Sequence, residues 1–109
     1  MNINCDNRFF QIWKYHVSHP NLLVRSPKNR EYKTNIDIIF YDVKLINLPS
    51  IFHGTRISSI SQTDDMDLIK KIENMGYDIN EVIVFHDKKQ KFYVIASIIK
   101  IEENEDDLF

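Results

Sequence analysis

The sequence predicts an α+β domain: a single, mostly antiparallel, curved sheet of about six strands with one helix packed on it. The segment NIDIIFYDVKLINL at 35–48 is apolar at both alternating positions, which is typical of a strand covered on both faces. One segment, 63–76, has helical periodicity. The other apolar segments alternate with period two between turn residues, as strands do.

The first elements form a predicted hairpin. Residues 8–17 are apolar on both parities, residues 18–21 give a turn signal, and residues 22–25 follow as a short strand. A polar loop then leads into the long strand 35–48. Pro49 ends that strand, because proline cannot donate a hydrogen bond to a ladder and biases the residue before it.

The second half begins with a predicted turn at His53-Gly54 and a more exposed strand at 55–61. The helix 63–76 can be capped by Thr63 or Asp64, and Gly76 is its C-terminal stop.

A closing hairpin pairs residues 81–86 with 91–101. Because one short helix gives strand 35–48 little cover, we expect either curvature into a half-barrel or cover by a partner or a second subunit, so a homodimer stays open.

Composition narrows the class of protein. A chain of 109 residues predicts one domain with one core, and only two glycines leave no room for a phosphate-cradling loop. Cys5 is the single cysteine, so no intramolecular disulfide can form and a reduced, cytoplasmic location is expected. MNINCDNRFF does not resemble a secretory signal and no segment has membrane-spanning length, so we expect no membrane association.

Charge divides the chain into two predicted parts. The domain, 1–101, holds all 14 Lys and Arg against 11 of the 16 acids, a net charge of +3. The segment 102–109 holds the other five acids and is expected to be a frayed, acidic tail. The body is not basic enough to favour nucleic acid as the partner.

The histidines are the first candidates for chemistry. His16 and His19 are the one close pair, but on a strand this spacing puts them on opposite faces, so no metal site and no cofactor are predicted. His53 or His86, with Asp87 nearby, could meet a serine such as Ser50, Ser58 or Ser59. These would form a small hydrolase only if the fold assembled them, since the Gly-x-Ser-x-Gly elbow is missing.

Two carboxylates interrupt the apolar strand, Asp37 and Asp42, and their spacing of five positions places them on opposite faces. A catalytic role would need a raised pKa. We expect instead a structural ion pair with a neighbouring cation such as Arg25 or Lys44.

A basic loop offers an alternative function. Tyr32 could stack on a base there, next to a patch of four cations that could meet phosphates or an acidic partner. The patch consists of Arg25, Lys28, Arg30 and Lys33.

Acidic residues mark the candidate surface for a protein partner, in two groups. The group at the helix start also suits the helix dipole, whereas the C-terminal group could imitate nucleic acid toward a basic enzyme. The groups are Asp64, Asp65 and Asp67, and Glu102, Glu103, Glu105, Asp106 and Asp107.

In size, reduced compartment, lack of a catalytic constellation and acidic patches, the chain resembles the small cytoplasmic immunity proteins that neutralise bacterial polymorphic or contact-dependent toxins. The resemblance is one of general character and transfers no functional residue. It implies a non-catalytic inhibitor that binds a cognate toxin, for instance a basic nuclease, and blocks its active site or substrate groove. The alternatives are the nucleic-acid-binding module and the small hydrolase described above.

Overall fold

The structure is a computed structural model that describes residues 2–60, 65–88 and 90–106. Its elements are β1 (Asn2–His16), β2 (Asn21–Ser26), β3 (Asn35–Asn47), β4 (Ile51–Ser59), α1 (Met66–Asn74), β5 (Val82–Asp87) and β6 (Gln90–Asn104), with a 3-10 turn at Ile79–Glu81 before β5. The predicted antiparallel sheet of six strands with one helix is confirmed for these residues.

The sheet closes on itself. The strand order is β1-β2-β3-β6-β5-β4, every neighbouring pair is antiparallel, and β1 pairs with both β2 and β4. Closure satisfies the hydrogen bonds of strands that would otherwise be sheet edges. It also supplies, within one chain, the cover that the inner face of β3 needs.

Aromatic side chains fill the barrel interior. The ring of Phe85, which is fully buried, contacts the rings of Phe52, Phe40 and Phe10 with centroids 5.2, 6.1 and 6.3 Å apart. Aliphatic side chains from the other strands complete this inner core. Burial of so many large apolar groups is the main stabilising contribution to a domain of this size.

A second, smaller core lies outside the barrel beneath α1. Along β5 the inner core takes Ile83 and Phe85, whereas Val82 and Val84 face outward and pack with Ile72 of the helix. This alternation explains why β5 is apolar on both parities. The helix therefore covers one part of the outer surface, centred on β5 and the neighbouring part of β6.

The turn predicted at His53-Gly54 is wrong, because both residues lie inside β4. Gly54 pairs with Arg8 of β1, and a Cβ atom at Gly54 would lie 3.0 Å from the ring of Phe10. The glycine therefore marks a close approach of backbone and ring, not a change of chain direction.

The helix is shorter than predicted. It begins after Asp65, whose carboxylate accepts a hydrogen bond from the backbone N–H of Leu68 at 3.1 Å. The predicted caps Thr63 and Asp64 lie outside the described residues. Gly76 has a φ of +85°, the left-handed conformation expected just past a helix end, so its predicted role is confirmed.

The boundary predicted after residue 101 is wrong, because β6 continues to Asn104 and pairs Glu102 and Glu103 with the start of β3. The side-chain amide of Asn35 also donates to Asn104 Oδ1 at 3.0 Å and to the carbonyl of Asp106 at 2.8 Å. These bonds fix the end of β6, although repulsion between its acidic side chains alone would favour fraying. The remaining residues of that segment, 107–109, lie outside the described part of the chain.

Candidate functional site

The structure brings together one of the predicted serine–histidine pairs. Ser58 Oγ lies 2.9 Å from Nε2 of His86, and the two residues belong to neighbouring strands on the helix-covered outer face. Arg56 places Nη2 at 3.5 and 3.3 Å from the two ring nitrogens of the same histidine. Both Ser58 and His86 are buried.

This arrangement is unlike that of an activated serine. In a catalytic triad a carboxylate orients the histidine and stabilises its cation, whereas here a guanidinium faces the ring. Burial lowers the pKa of His86, and the positive charges of Arg56 and Lys91 lower it further, so the imidazolium is disfavoured. His53 contacts Phe9 of β1, the strand that neighbours β4 on the side away from β5. The two rings meet edge-on, with their centroids 5.8 Å apart. Of the residues in the predicted hydrolase, which was centred on His53 or His86 with Asp87 nearby, His53 pairs with Phe9 of β1, His86 with Arg56 of β4, and Asp87 with Gln90 of β6.

The first residue of the predicted basic patch, Arg25, is buried in the structure. Arg25 is 2% exposed and donates from Nε and Nη2 to the two carboxylate oxygens of Asp37, at 2.6 and 2.8 Å. Lys28 donates to the carbonyl of Glu105, whereas Arg30 and Lys33 are exposed. Tyr32 lies over the guanidinium of Arg8, with the centroid 4.2 Å from Cζ. Arg25 is therefore not part of an exposed surface with the other three cations of the loop.

The expected ion pair of Asp37 with Arg25 is confirmed. Burial would raise the pKa of Asp37, but hydrogen bonds from Arg25 and Asn104 and the charge of Arg25 outweigh it, so the pKa is lowered. Asp42, by contrast, accepts a hydrogen bond from Ser97 Oγ at 2.6 Å; its φ is +55°, and it lies just before the β-bulge between Val43 and Leu45. Lys44 pairs with Glu81.

The two predicted acidic groups lie far apart. Asp65 pairs with Lys91 near the start of β6 at 2.9 Å, and Asp67 is exposed in the first turn of α1. Glu102 and Glu103 lie near the other end of the same strand, and at the usual strand rise this separation is up to about 35 Å. Asp64 and Asp107 lie outside the described residues. The acids therefore do not form one continuous surface.

The outer face of the barrel opposite the helix carries an apolar groove of about 210 Å³. Its residues, which we call the outer groove, are Lys14, His16, Asn21, Leu22, Leu23, Ile39 and Tyr41. Across the sheet Leu23 pairs with Ile39, and Tyr41 pairs with Ile98, which is 60% exposed. An apolar strip of this kind on a sheet face is typical of an interaction surface.

Lysines stand on both sides of the outer groove. The register places Lys14 of β1 beside Leu23, and Lys100 of β6 beside Ile39, so that one row across four strands runs from cation through two apolar residues to cation. Lys100 is 59% exposed and contacts Glu102 at 3.4 Å. The apolar centre of this surface is therefore flanked by a lysine on each side.

A second cavity, polar and of about 310 Å³, lies at the end of the barrel where β6 finishes. Its residues, which we call the end pocket, are Asn4, Cys5, Asp6, Arg8, Glu31, Tyr32, Lys33, Thr34, Ile36 and Glu103. Burial raises the pKa of the Cys5 thiol to about 11, against a smaller lowering by Arg8, which favours the protonated thiol.

Sequence reasoning found neither cavity. The outer groove could not be predicted because it depends on how neighbouring strands align. The one signal in the sequence was that segment 35–48 is apolar on both faces, which indicated that one face would need to be covered. The end pocket unites residues from β1, the loop before β3 and the end of β6, which no local pattern connects.

Comparisons with protein-family models, with curated proteins and with solved structures find no match to this chain. Among the described residues, no group of three or more histidine, cysteine or acidic side chains could hold a metal ion. In the same residues no helix has both the length and the apolar character needed to cross a membrane.

Proposed function

We propose that this chain is a non-catalytic protein-binding protein, an inhibitor of the immunity-protein kind that blocks the active site or substrate groove of a cognate toxin. The observation that carries the proposal is the outer groove, where Ile39 and Tyr41 remain partly exposed although the rest of the fold buries two separate cores. Interface centres are enriched in aromatic anchors surrounded by apolar side chains. A partner would supply the missing cover.

The charges around the outer groove favour a different protein as partner over a second copy. A symmetric dimer through this face would bring Lys14 and Lys100 of both copies into one interface, and like charges there are unfavourable. A partner with an apolar side chain flanked by carboxylates fits better. A basic nuclease, the partner that the acidic C-terminal segment suggests, would instead bind Glu103, Glu105 and Asp106 at the end of the barrel.

The experiment uses the product of a neighbouring toxin-like gene, measured by calorimetric binding and by protection of growth on co-expression. Tyr41→Ala should weaken binding by about 10- to 100-fold, the usual effect of removing an aromatic anchor. Ile39→Asp should abolish protection. Ile51→Asp is the matched control, because Ile51 is a 54% exposed isoleucine in β4 outside the outer groove.

Charge reversal separates the two partner surfaces. Lys14→Glu with Lys100→Glu should weaken binding through the outer groove, whereas Glu103→Lys with Glu105→Lys should weaken binding of a basic nuclease at the barrel end. The proposal fails if no neighbouring gene product is bound. It also fails if the outer-groove variants, with the thermal stability of the unaltered chain, protect cells as well as that chain does.

A further inference from the structure

The end pocket contains an arginine whose charge has no carboxylate partner among the described residues. Arg8 is 6% exposed and lies on the inner face of β1. Its Nε donates to Ser26 Oγ at 2.9 Å, and its Nη2 donates to the carbonyl of Thr34 at 2.7 Å and to that of Ser26 at 3.3 Å. In the described part of the chain Nη1 has no hydrogen-bond acceptor, and it is not fully buried, because every fully buried side-chain nitrogen there has a partner.

A buried guanidinium is costly unless its charge and its donors are matched. The other buried arginine, Arg25, meets that need with the carboxylate of Asp37. Arg8 has only neutral oxygens and the ring of Tyr32. A carboxylate reaching Nη1 would give it the charge-assisted bond that the protein supplies to Arg25.

The opening of the end pocket has the opposite charge. Asp6, Glu31 and Glu103 are exposed and line the cavity together with a single lysine, Lys33. A simple anion would meet repulsion from these acids before it reached Arg8. A molecule with a carboxylate at one end and a cationic group at the other would be complementary to both parts.

The backbone beside the end pocket adopts an energetically unfavourable conformation. Between the pairs Asn4–Arg56 and Arg8–Gly54, β1 has more residues than β4, and the bulge contains Asp6 and Asn7 with φ of +52° and +57°. Consecutive non-glycine residues in this conformation are unfavourable and are concentrated at functional sites. The bulge brings Asp6 to the pocket opening, where its carbonyl accepts from the hydroxyl of Tyr32 at 3.4 Å.

We propose that the end pocket binds a small zwitterion of the free amino-acid class, with its carboxylate on Nη1 of Arg8 and its ammonium group among Asp6, Glu31 and Glu103. The cavity volume of about 310 Å³ is at the lower end of the range of about 300 to 1,000 Å³ for small-molecule sites. A basic amino acid gains a second contact at the acidic opening, so arginine is preferred over glycine. This site is separate from the outer groove and does not depend on the function proposed for it.

The test is calorimetry and NMR titration of the full chain with arginine, glycine, acetate, methylammonium, N-acetylglycine and inorganic phosphate. Arginine should bind tightest and glycine next, and each should exceed acetate and methylammonium by about tenfold, since each of those keeps only one charged contact. N-acetylglycine, which has lost the ammonium group, should bind no better than acetate. The proposal is overturned if no probe binds by about 10 mM, or if acetate or phosphate binds as tightly as arginine.

Variants locate the two contacts. Arg8→Lys keeps a positive charge but removes Nη1, and should weaken binding of arginine and acetate alike by about tenfold. The double variant Glu31→Gln with Glu103→Gln should weaken the binding of free arginine and leave the binding of acetate unchanged or tighter. This double variant still tests the proposal if Arg8→Lys fails to fold. Glu73→Gln, at an exposed position of α1, is the matched control. Unaltered arginine binding in the glutamine pair would overturn the proposal.

Discussion

Arg25 and Asp37 face each other across β2 and β3 as directly paired residues, and the guanidinium donates to both oxygens of the carboxylate. Each residue is 2% exposed, although both project from the outer side of the barrel. Trp13 lies over the guanidinium, with its ring centroid 5.3 Å from Cζ, and Asn104 donates to Asp37 Oδ2 at 2.8 Å. This pair joins β1, β2, β3 and β6 at one place on the barrel.

Removal of one partner should be strongly destabilising. We expect Asp37→Ala to lower the free energy of unfolding by about 3 to 5 kcal/mol, because it removes the carboxylate that accepts two hydrogen bonds from the buried guanidinium of Arg25. The double variant Arg25→Met with Asp37→Leu should lose clearly less than the sum of the single variants, measured by urea unfolding as a double-mutant cycle. Glu81→Gln, which breaks the more exposed pair with Lys44, should have a much smaller effect. Additive losses at Arg25 and Asp37 would contradict the coupling.

Asp37 should also make stability depend on acid. Its pKa in the folded state is below the ordinary value of 3.8, so its contribution is complete above that value and is lost as pH falls through the lower folded-state pKa. Unfolding free energies measured across the acid range should therefore fall more steeply for the unaltered chain than for Asp37→Asn. Equal slopes would show that the carboxylate does not stabilise the folded state through its charge.

His86 should give a second pH dependence at higher pH. Burial and the charges of Arg56 and Lys91 lower its pKa below the ordinary value of 6.5, so the unfolded chain takes up a proton more readily than the folded one. Stability should be complete above pH 6.5 and decrease as pH falls through the folded-state pKa. His86→Gln should make the melting temperature depend less on pH between about pH 7 and 5. His53→Gln, at an exposed position, should leave the pH dependence of the melting temperature as it is in the unaltered chain.

Gly54 should resist substitution because of packing. A Cβ at this position lies 3.0 Å from two ring atoms of Phe10, so Gly54→Ala should cost about 1 to 3 kcal/mol, the usual penalty of an overfilled core. In the background of Phe10→Leu, which removes the ring, the same change should cost less. Chemical unfolding of the four variants measures the difference. An equal cost in both backgrounds would place the cause in the backbone of β4 and not in the ring.

Local patterns predicted much of the secondary structure. Alternation defined β3 at 35–48 against Asn35–Asn47 in the structure, and the helix stop at Gly76 is confirmed. The same local reasoning was wrong at His53-Gly54, since a glycine that admits a ring and a glycine that permits a turn look alike in sequence. It was also wrong about Arg25, because a cation beside a polar loop gives no sign that its side chain lies under Trp13.

The sequence by itself determined the α+β class, the single helix and the organising strand β3, because these depend on side-chain periodicity over a few neighbouring residues. Only the tertiary structure decided that β1 pairs with β4 and closes the sheet, since such pairing joins residues 40 to 56 positions apart and leaves no local signal. Closure then fixed the rest. It buried the aromatic core, left Ile39 and Tyr41 on an uncovered face, and gathered Arg8 with the acids of distant segments at one end of the barrel.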